Sequence, residues 1–202
     1  MALTILYVCT GNVCRSPMAE FILRERAGSQ RRLYVSSAGV AALVGSSVDS
    51  GSATVLTALG IDSSQHRARQ FEPWMATDAD LVLTAEVAHR DVVMAEVPGA
   101  LRRTFTMKEF ARLVRHVGSG TPTELIARAA RIRAMYGAVP LALDDVPDPF
   151  RAGVPRARAT LSEITTALEP MLSAFGLEQP ATARRARPTP GPRRPLPNGS
   201  PA

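Results

Sequence analysis

Cysteine is scarce in this chain: two in 202 residues, too few for a disulfide-built extracellular scaffold and suited to a reducing compartment, so a cytoplasmic location is expected. No apolar run approaches the ~20 residues a membrane span needs, and no transmembrane segment is expected. The N-terminus lacks a basic stretch followed by an apolar core, so no signal peptide is read there. Lysine is nearly missing, Lys108 being the only one among 24 basic residues, which reads as a habit of composition. The net charge of +6 is concentrated: residues 178–202 carry five arginines against Glu178, leaving only +2 on the rest. A nucleic-acid-binding face is therefore not indicated. That same segment holds seven prolines in 25 residues and is expected to be a disordered tail.

What is present is Cys9-Thr10-Gly11-Asn12-Val13-Cys14-Arg15-Ser16-Pro17. The apolar run Leu3 to Val8 before it reads as a buried strand. Met18 to Ile22 after it reads as a helix, with Pro17 at the first position. A strand, a tight loop and a helix N-terminus form an anion cradle of loop N–H groups and helix dipole. Cys9 and Arg15 stand at the two ends of that loop with five residues between them, so both can reach one tetrahedral oxyanion. Arginine offers a planar fork to two phosphate oxygens, and a thiol beside a helix N-terminus and a cation is a soft nucleophile. The pattern predicts a phosphoryl-transfer site with a cysteine nucleophile. A cation at a helix start opposes the dipole, a conflict that a bound anion resolves. Gly11 permits close backbone approach and Asn12 tolerates a left-handed conformation. Ser16 reads equally well as a helix N-cap.

Downstream, strands alternate with helices. Strands are expected at 33–37, 79–84 and 103–106, and helices at about 17–27, 52–59 (closed by Gly60), 86–95, 107–117, 121–135 and 155–176, where Pro170 should kink or shorten the last one. This predicts an α/β fold, a doubly wound four-stranded parallel sheet flanked by helices, with ligand at the strand C-termini. Residues 1–177 are expected to form one domain.

The stretch Cys9 to Glu20 resembles the phosphate-binding loop of the low-molecular-weight protein tyrosine phosphatases, including Asn12, Cys14 and Ser16-Pro17. The resemblance implies that Cys9 is the nucleophile of a phosphocysteine mechanism and that residues 10–16 (Thr10, Gly11, Asn12, Val13, Cys14, Arg15, Ser16) hold the phosphate. Ser16 then donates to the Cys9 sulfur. Asp148-Pro149-Phe150 matches the family's Asp-Pro-aromatic acid loop, making Asp148 the general acid and base and Phe150 a wall for the substrate ring; Asp145 is the alternative acid. Ser37 and His66 are implied as residues bracing Asn12. Cys14 has three readings: a small buried side chain, a redox partner of Cys9, or a metal ligand, the last unsupported by any accompanying His or acid. No cofactor is expected. The substrate partner is a phosphotyrosine-containing protein, and the protein is expected to act as a monomer.

The chain departs from the family pattern in three places. Leu43 or a neighbour stands where relatives often carry an aromatic slot wall, Arg151 follows the single aromatic Phe150, and the stretch at about 117–140 is longer than the family core. Protein arginine phosphatases share the resemblance but tend to carry Thr where this chain has Val13. Arsenate reductases share it too, although a reductase here would need a small-molecule thiol, since no cysteine follows Cys14. A phosphopeptide-binding module is the non-enzymatic alternative, against which an intact acid at Asp148 argues.

Overall fold

The computed structural model describes residues 2–28, 33–136 and 143–177; the proposed tail, 178–202, lies outside them. Four parallel strands form the sheet in the order β2-β1-β3-β4: β1 Leu3–Cys9, β2 Leu33–Gly39, β3 Leu81–Thr84 and β4 Thr104–Thr106. The expected α/β architecture is therefore the observed one.

Strand alternation divides the core. Ile5 and Tyr7 of β1, with Leu81 and Leu83 of β3 and Phe105 of β4, face one layer. That layer is built from α1 Arg15–Ala27, α2 Ser50–Ala58, α5 Met107–Val114, α6 Pro122–Tyr136 and α7 Gly153–Ala174. Leu6, Val8 and Val82 point the other way, onto Phe71, Ala76, Val93 and Ala100 of the smaller layer. There lie α3 Pro73–Asp78, α4 Val87–Glu96 and a 3-10 helix, Pro98–Arg103. A strand buried on both faces reads as a continuous apolar run, as Leu3 to Val8 does.

Several boundaries differ from expectation for local reasons. Helix α1 begins at Arg15, so Pro17 is its third residue, still within the turn whose N–H groups need no helical partner. Its N-cap is Cys14, so Ser16 does not serve as the cap and its hydroxyl is released for the site. Pro170 does not shorten α7, which continues to Ala174. Helix α3 and the 3-10 helix differ from expectation; each begins at a proline and spans six residues, too few to carry a helical period. The stretch around 117–140 contains α6, whose Leu125, Ile126 and Ala129 enter the main core. Gly60, with φ +75°, ends α2 in the left-handed turn expected of it, with Ile61 N–H returning to the Leu56 carbonyl at 3.0 Å.

Candidate active site

The loop between β1 and α1 is held from outside through its carbonyls. Val40 N–H bonds the Cys9 carbonyl (2.9 Å), Ala41 that of Thr10 (3.0 Å), Leu43 that of Gly11 (3.0 Å) and Asp49 that of Val13 (2.8 Å). The Asn12 carbonyl accepts from His66 Nε2 at 2.7 Å, which fixes the proton of that ring nitrogen. In a trans peptide the C=O and the following N–H point opposite ways, so carbonyls drawn outward turn the N–H groups of residues 10–14 inward. This is the cradle in physical terms.

Asn12 is the hub. It sits at φ +53°, the left-handed conformation anticipated for it. Its amide donates to Ser16 Oγ (3.0 Å) and Ser37 Oγ (2.8 Å), and its Oδ1 accepts the Arg69 N–H (2.9 Å). Ser37 in turn donates to Glu20 Oε2 at 2.5 Å, and Glu20 is paired with Arg24 at 2.7 Å. The buried loop is thus braced by a chain of satisfied groups. Ser16 Oγ lies 3.0 Å from Cys9 Sγ and 3.3 Å from the Ala38 carbonyl, so its single proton has two candidate acceptors.

Gly39 makes the arrangement possible. A Cβ there would lie 2.4 Å from the Thr10 carbonyl oxygen and 2.8 Å from Asn12 N. A Cβ on Gly11 would meet no protein atom closer than 3.4 Å. Within the protein's own packing, the close approach assigned to Gly11 is demanded of Gly39 instead.

The guanidinium of Arg15, only 2 % exposed, is gripped on several sides. Nη1 pairs with Glu86 and reaches the Val146 carbonyl (3.2 Å); Nη2 meets Asp148 Oδ2 (3.1 Å) and Thr10 Oγ1 (3.3 Å). The three aspartates of the downstream loop have separate partners. Asp144 is bound by Arg112, and Asp145 accepts the Val87 N–H at 2.8 Å at the start of α4. Asp148 is half exposed and reaches the Arg15 fork. Sequence spacing leaves Asp145 and Asp148 both open; in the structure Asp145 is engaged by the Val87 N–H, whereas Asp148 stands beside Arg15.

Cys9, Cys14, Arg15, Asp148, Leu43 and Phe150 line one cavity of about 130 Å³, together with Thr10, Gly11 and Val13. Leu43 and Phe150 form its apolar rim, and the Arg151 guanidinium stacks 5.0 Å from the Phe150 ring. Burial pushes the Cys14 thiol up to about 12, so it is a protonated, inert group at neutral pH. Both cysteines are free thiols. Glu20, Arg69, Glu86 and His89 are site residues that the sequence did not mark. A signal existed for the last two: they follow the C-terminus of β3, the edge where parallel sheets place ligands.

Fold and site together define a class: an α/β protein with a thiol, a buried guanidinium and a carboxylate around an oxyanion-sized cradle. The chain belongs to the low molecular weight phosphotyrosine protein phosphatase family, whose profile matches residues 4–124. It is 34 % identical over 103 residues to the low molecular weight protein-tyrosine-phosphatase Ptp of Acinetobacter johnsonii, covering 51 % of this chain and 70 % of that one. It is 31 % identical over 179 residues to a protein-arginine-phosphatase of Geobacillus stearothermophilus, covering 89 % of this chain and all of that one. Among solved structures, the low molecular weight protein tyrosine phosphatase from T. tengcongensis superposes with a TM-score of 0.64 at 30 % identity, covering 85 % of this chain and 99 % of the other. No helix among the described residues is long and apolar enough to cross a membrane.

Proposed function

We propose that the protein hydrolyses phosphotyrosine in proteins by two successive displacements at phosphorus. The Cys9 thiolate attacks, the bond from phosphorus to the phenolic oxygen breaks, and Asp148 gives its proton to the departing oxygen. Water then attacks the phosphocysteine and passes a proton to Asp148. The sulfur–phosphorus bond breaks, and the departing thiolate is received by the Ser16 hydroxyl. Arg15 and the loop N–H groups carry the charge of the phosphoryl oxygens throughout. An entering phosphate dianion takes the Arg15 fork from Asp148 and leaves that carboxyl free to face the departing oxygen.

The observation that carries this reading is the convergence of Cys9, Arg15 and Asp148 on one cavity rimmed by Leu43 and Phe150. A flat aromatic ring fits between two apolar side chains. All of these groups come from one chain, so a monomer is a complete enzyme in this reading, and a catalytic thiol calls for a reducing compartment such as the cytoplasm. Hydrolysis of phosphoarginine is the second reading, favoured by the full-length match to an arginine phosphatase. Against it stands Val13, an apolar side chain on the cavity wall where a guanidinium would need a polar partner.

The test is phosphate release, without added metal, from phosphotyrosine, phosphoserine and phosphoarginine peptides, with Cys9→Ser in parallel. Turnover of phosphotyrosine, lost in Cys9→Ser, is expected. Turnover of phosphoarginine alone would move the assignment to the second reading, and arsenate-driven thiol oxidation without phosphatase activity would overturn both.

A further inference from the structure

One polar cluster at the site is not used by the mechanism above. His89, on α4, is 3 % exposed, and its Nε2 lies 2.8 Å from Thr10 Oγ1 and 3.7 Å from Glu86 Oε2. Its Nδ1 is buried and, among the described residues, has no hydrogen-bond partner. The charged groups facing the ring are Glu86, Arg15, Asp145 and Asp148. Burial pulls the imidazolium below the usual histidine range, a pull that Glu86 opposes and Arg15 assists, so the ring is neutral at pH 7 and carries one N–H.

Where that proton sits follows from the cost of an unpaired group. On Nδ1 it would be a buried N–H with nothing to bond, a rare and expensive state. On Nε2 it is given to Thr10 Oγ1, and the unpaired group is only a lone pair. Arg15 Nη2, 3.3 Å from the same oxygen, can also only donate. A hydroxyl has two lone pairs and one proton. With both lone pairs taken, the Thr10 hydroxyl can act only as a donor, and its side chain is exposed on the wall of the cavity that holds Cys9.

We propose that the Thr10 hydroxyl is an additional hydrogen-bond donor to the bound phosphoryl group, and that His89 is a positioning residue that fixes this polarity from behind. The role deepens the phosphatase reading and rests on it for the identity of the substrate, though not for the anion. It gives the cradle a side-chain donor beside its backbone N–H groups, locked in direction by two neighbours that cannot accept.

The experiment measures kcat and KM on a phosphotyrosine peptide and the competitive inhibition constant of inorganic phosphate for Thr10→Val, Thr10→Ser, His89→Leu and Thr10→Val/His89→Leu. Binding of inorganic phosphate to the same variants on a Cys9→Ser background is read by calorimetry, with melting temperatures recorded throughout. A lost hydrogen bond to an anion predicts that Thr10→Val weakens phosphate and lowers kcat/KM about ten- to a hundredfold, while Thr10→Ser keeps both. His89→Leu should lose a similar factor alone and almost nothing in the Thr10→Val background, because the two act as one unit. Wild-type phosphate affinity in Thr10→Val, or an equal loss from His89→Leu with and without Thr10, would overturn the proposal. If His89→Leu does not fold, the Thr10→Val and Thr10→Ser pair still decides. A wild-type protein inert on phosphotyrosine would refute the proposed function but leave the calorimetric test of Thr10 standing.

Discussion

Replacing Gly39 by alanine adds one methyl group, and the structure predicts that this single change disables the site. Gly39 is the last residue of β2, and a Cβ there would stand 2.4 Å from the Thr10 carbonyl oxygen, 2.8 Å from Asn12 N and 3.0 Å from Gly11 C. All three are backbone atoms of the cradle, so no side chain can swing aside. Restoring ordinary contact requires about 1 Å of movement, and a misplacement of that size costs about a hundredfold in rate. The strand cannot easily retreat: Gly39 N–H is held by the Arg69 carbonyl (3.0 Å), its own carbonyl by Phe71 N–H (2.7 Å), and the next residue is tied to Cys9. The loop therefore moves, and overpacking of this kind also costs about 1–3 kcal/mol of stability. The assay is kcat/KM on p-nitrophenyl phosphate with a thermal melt, and Gly11→Ala as the comparison. At Gly11 a Cβ would meet the side chains of Val13 (3.4 Å) and Leu43 (3.7 Å), both able to adjust, so its loss should be far smaller. Wild-type kcat/KM in Gly39→Ala, or an equal loss in Gly11→Ala, would refute the reasoning.

Three further outcomes are expected. Asp148→Ala should slow phenyl phosphate about 10²- to 10⁴-fold while sparing substrates with good leaving groups, read from a leaving-group series; a uniform loss would remove Asp148 as the acid. Asp145→Ala should leave that leaving-group dependence intact and lower the melting temperature, having cost about 1 kcal/mol with the bond to Val87 N–H. After stoichiometric peroxide, closure of a Cys9–Cys14 disulfide should accelerate about tenfold per pH unit from pH 7 upward, since only the Cys14 thiolate can attack the oxidised Cys9 and its pKa is pushed up to about 12. Trapping of the Cys9 sulfenate by dimedone at each pH measures this, and fast closure already at pH 7 would contradict it.

The cradle was legible in the sequence because it is local. Strand, loop and helix are contiguous from Leu3 to Ala27, and the apolar run, the left-handed Asn12 and the Cys9–Arg15 separation all act within nine residues of the loop. Its braces were legible only through family resemblance, since Ser37 and His66 reach Asn12 across 25 and 54 residues. Gly39 and Arg69 lay hidden for the same reason: what makes each necessary is a contact between segments, and no periodicity encodes it. Glu86 and His89 were missed although the topology points at them, because an acid and a histidine at the start of a helix look like ordinary surface residues until β3 is placed beside β1.

The acid loop shows how the fold distinguishes residues that the sequence leaves alike. Asp144, Asp145 and Asp148 are chemically alike, and an irregular Pro-rich segment gives no period by which to orient them. The fold separates them by giving each a different neighbour. Val146 N–H is tied to the Ala85 carbonyl at 2.7 Å, which anchors the loop to the end of β3 and so to the cradle. Just before that anchor, Arg112 takes Asp144 and the Val87 N–H takes Asp145. The chain then runs on to Pro149, which limits the freedom of Asp148 just where it emerges over Arg15. In the proposed mechanism, two aspartates hold the loop so that the third can meet the substrate. A carboxylate that must alternately give and take a proton has to stay accessible, and of the three only Asp148 is partnered by a group that an incoming phosphate would claim from it.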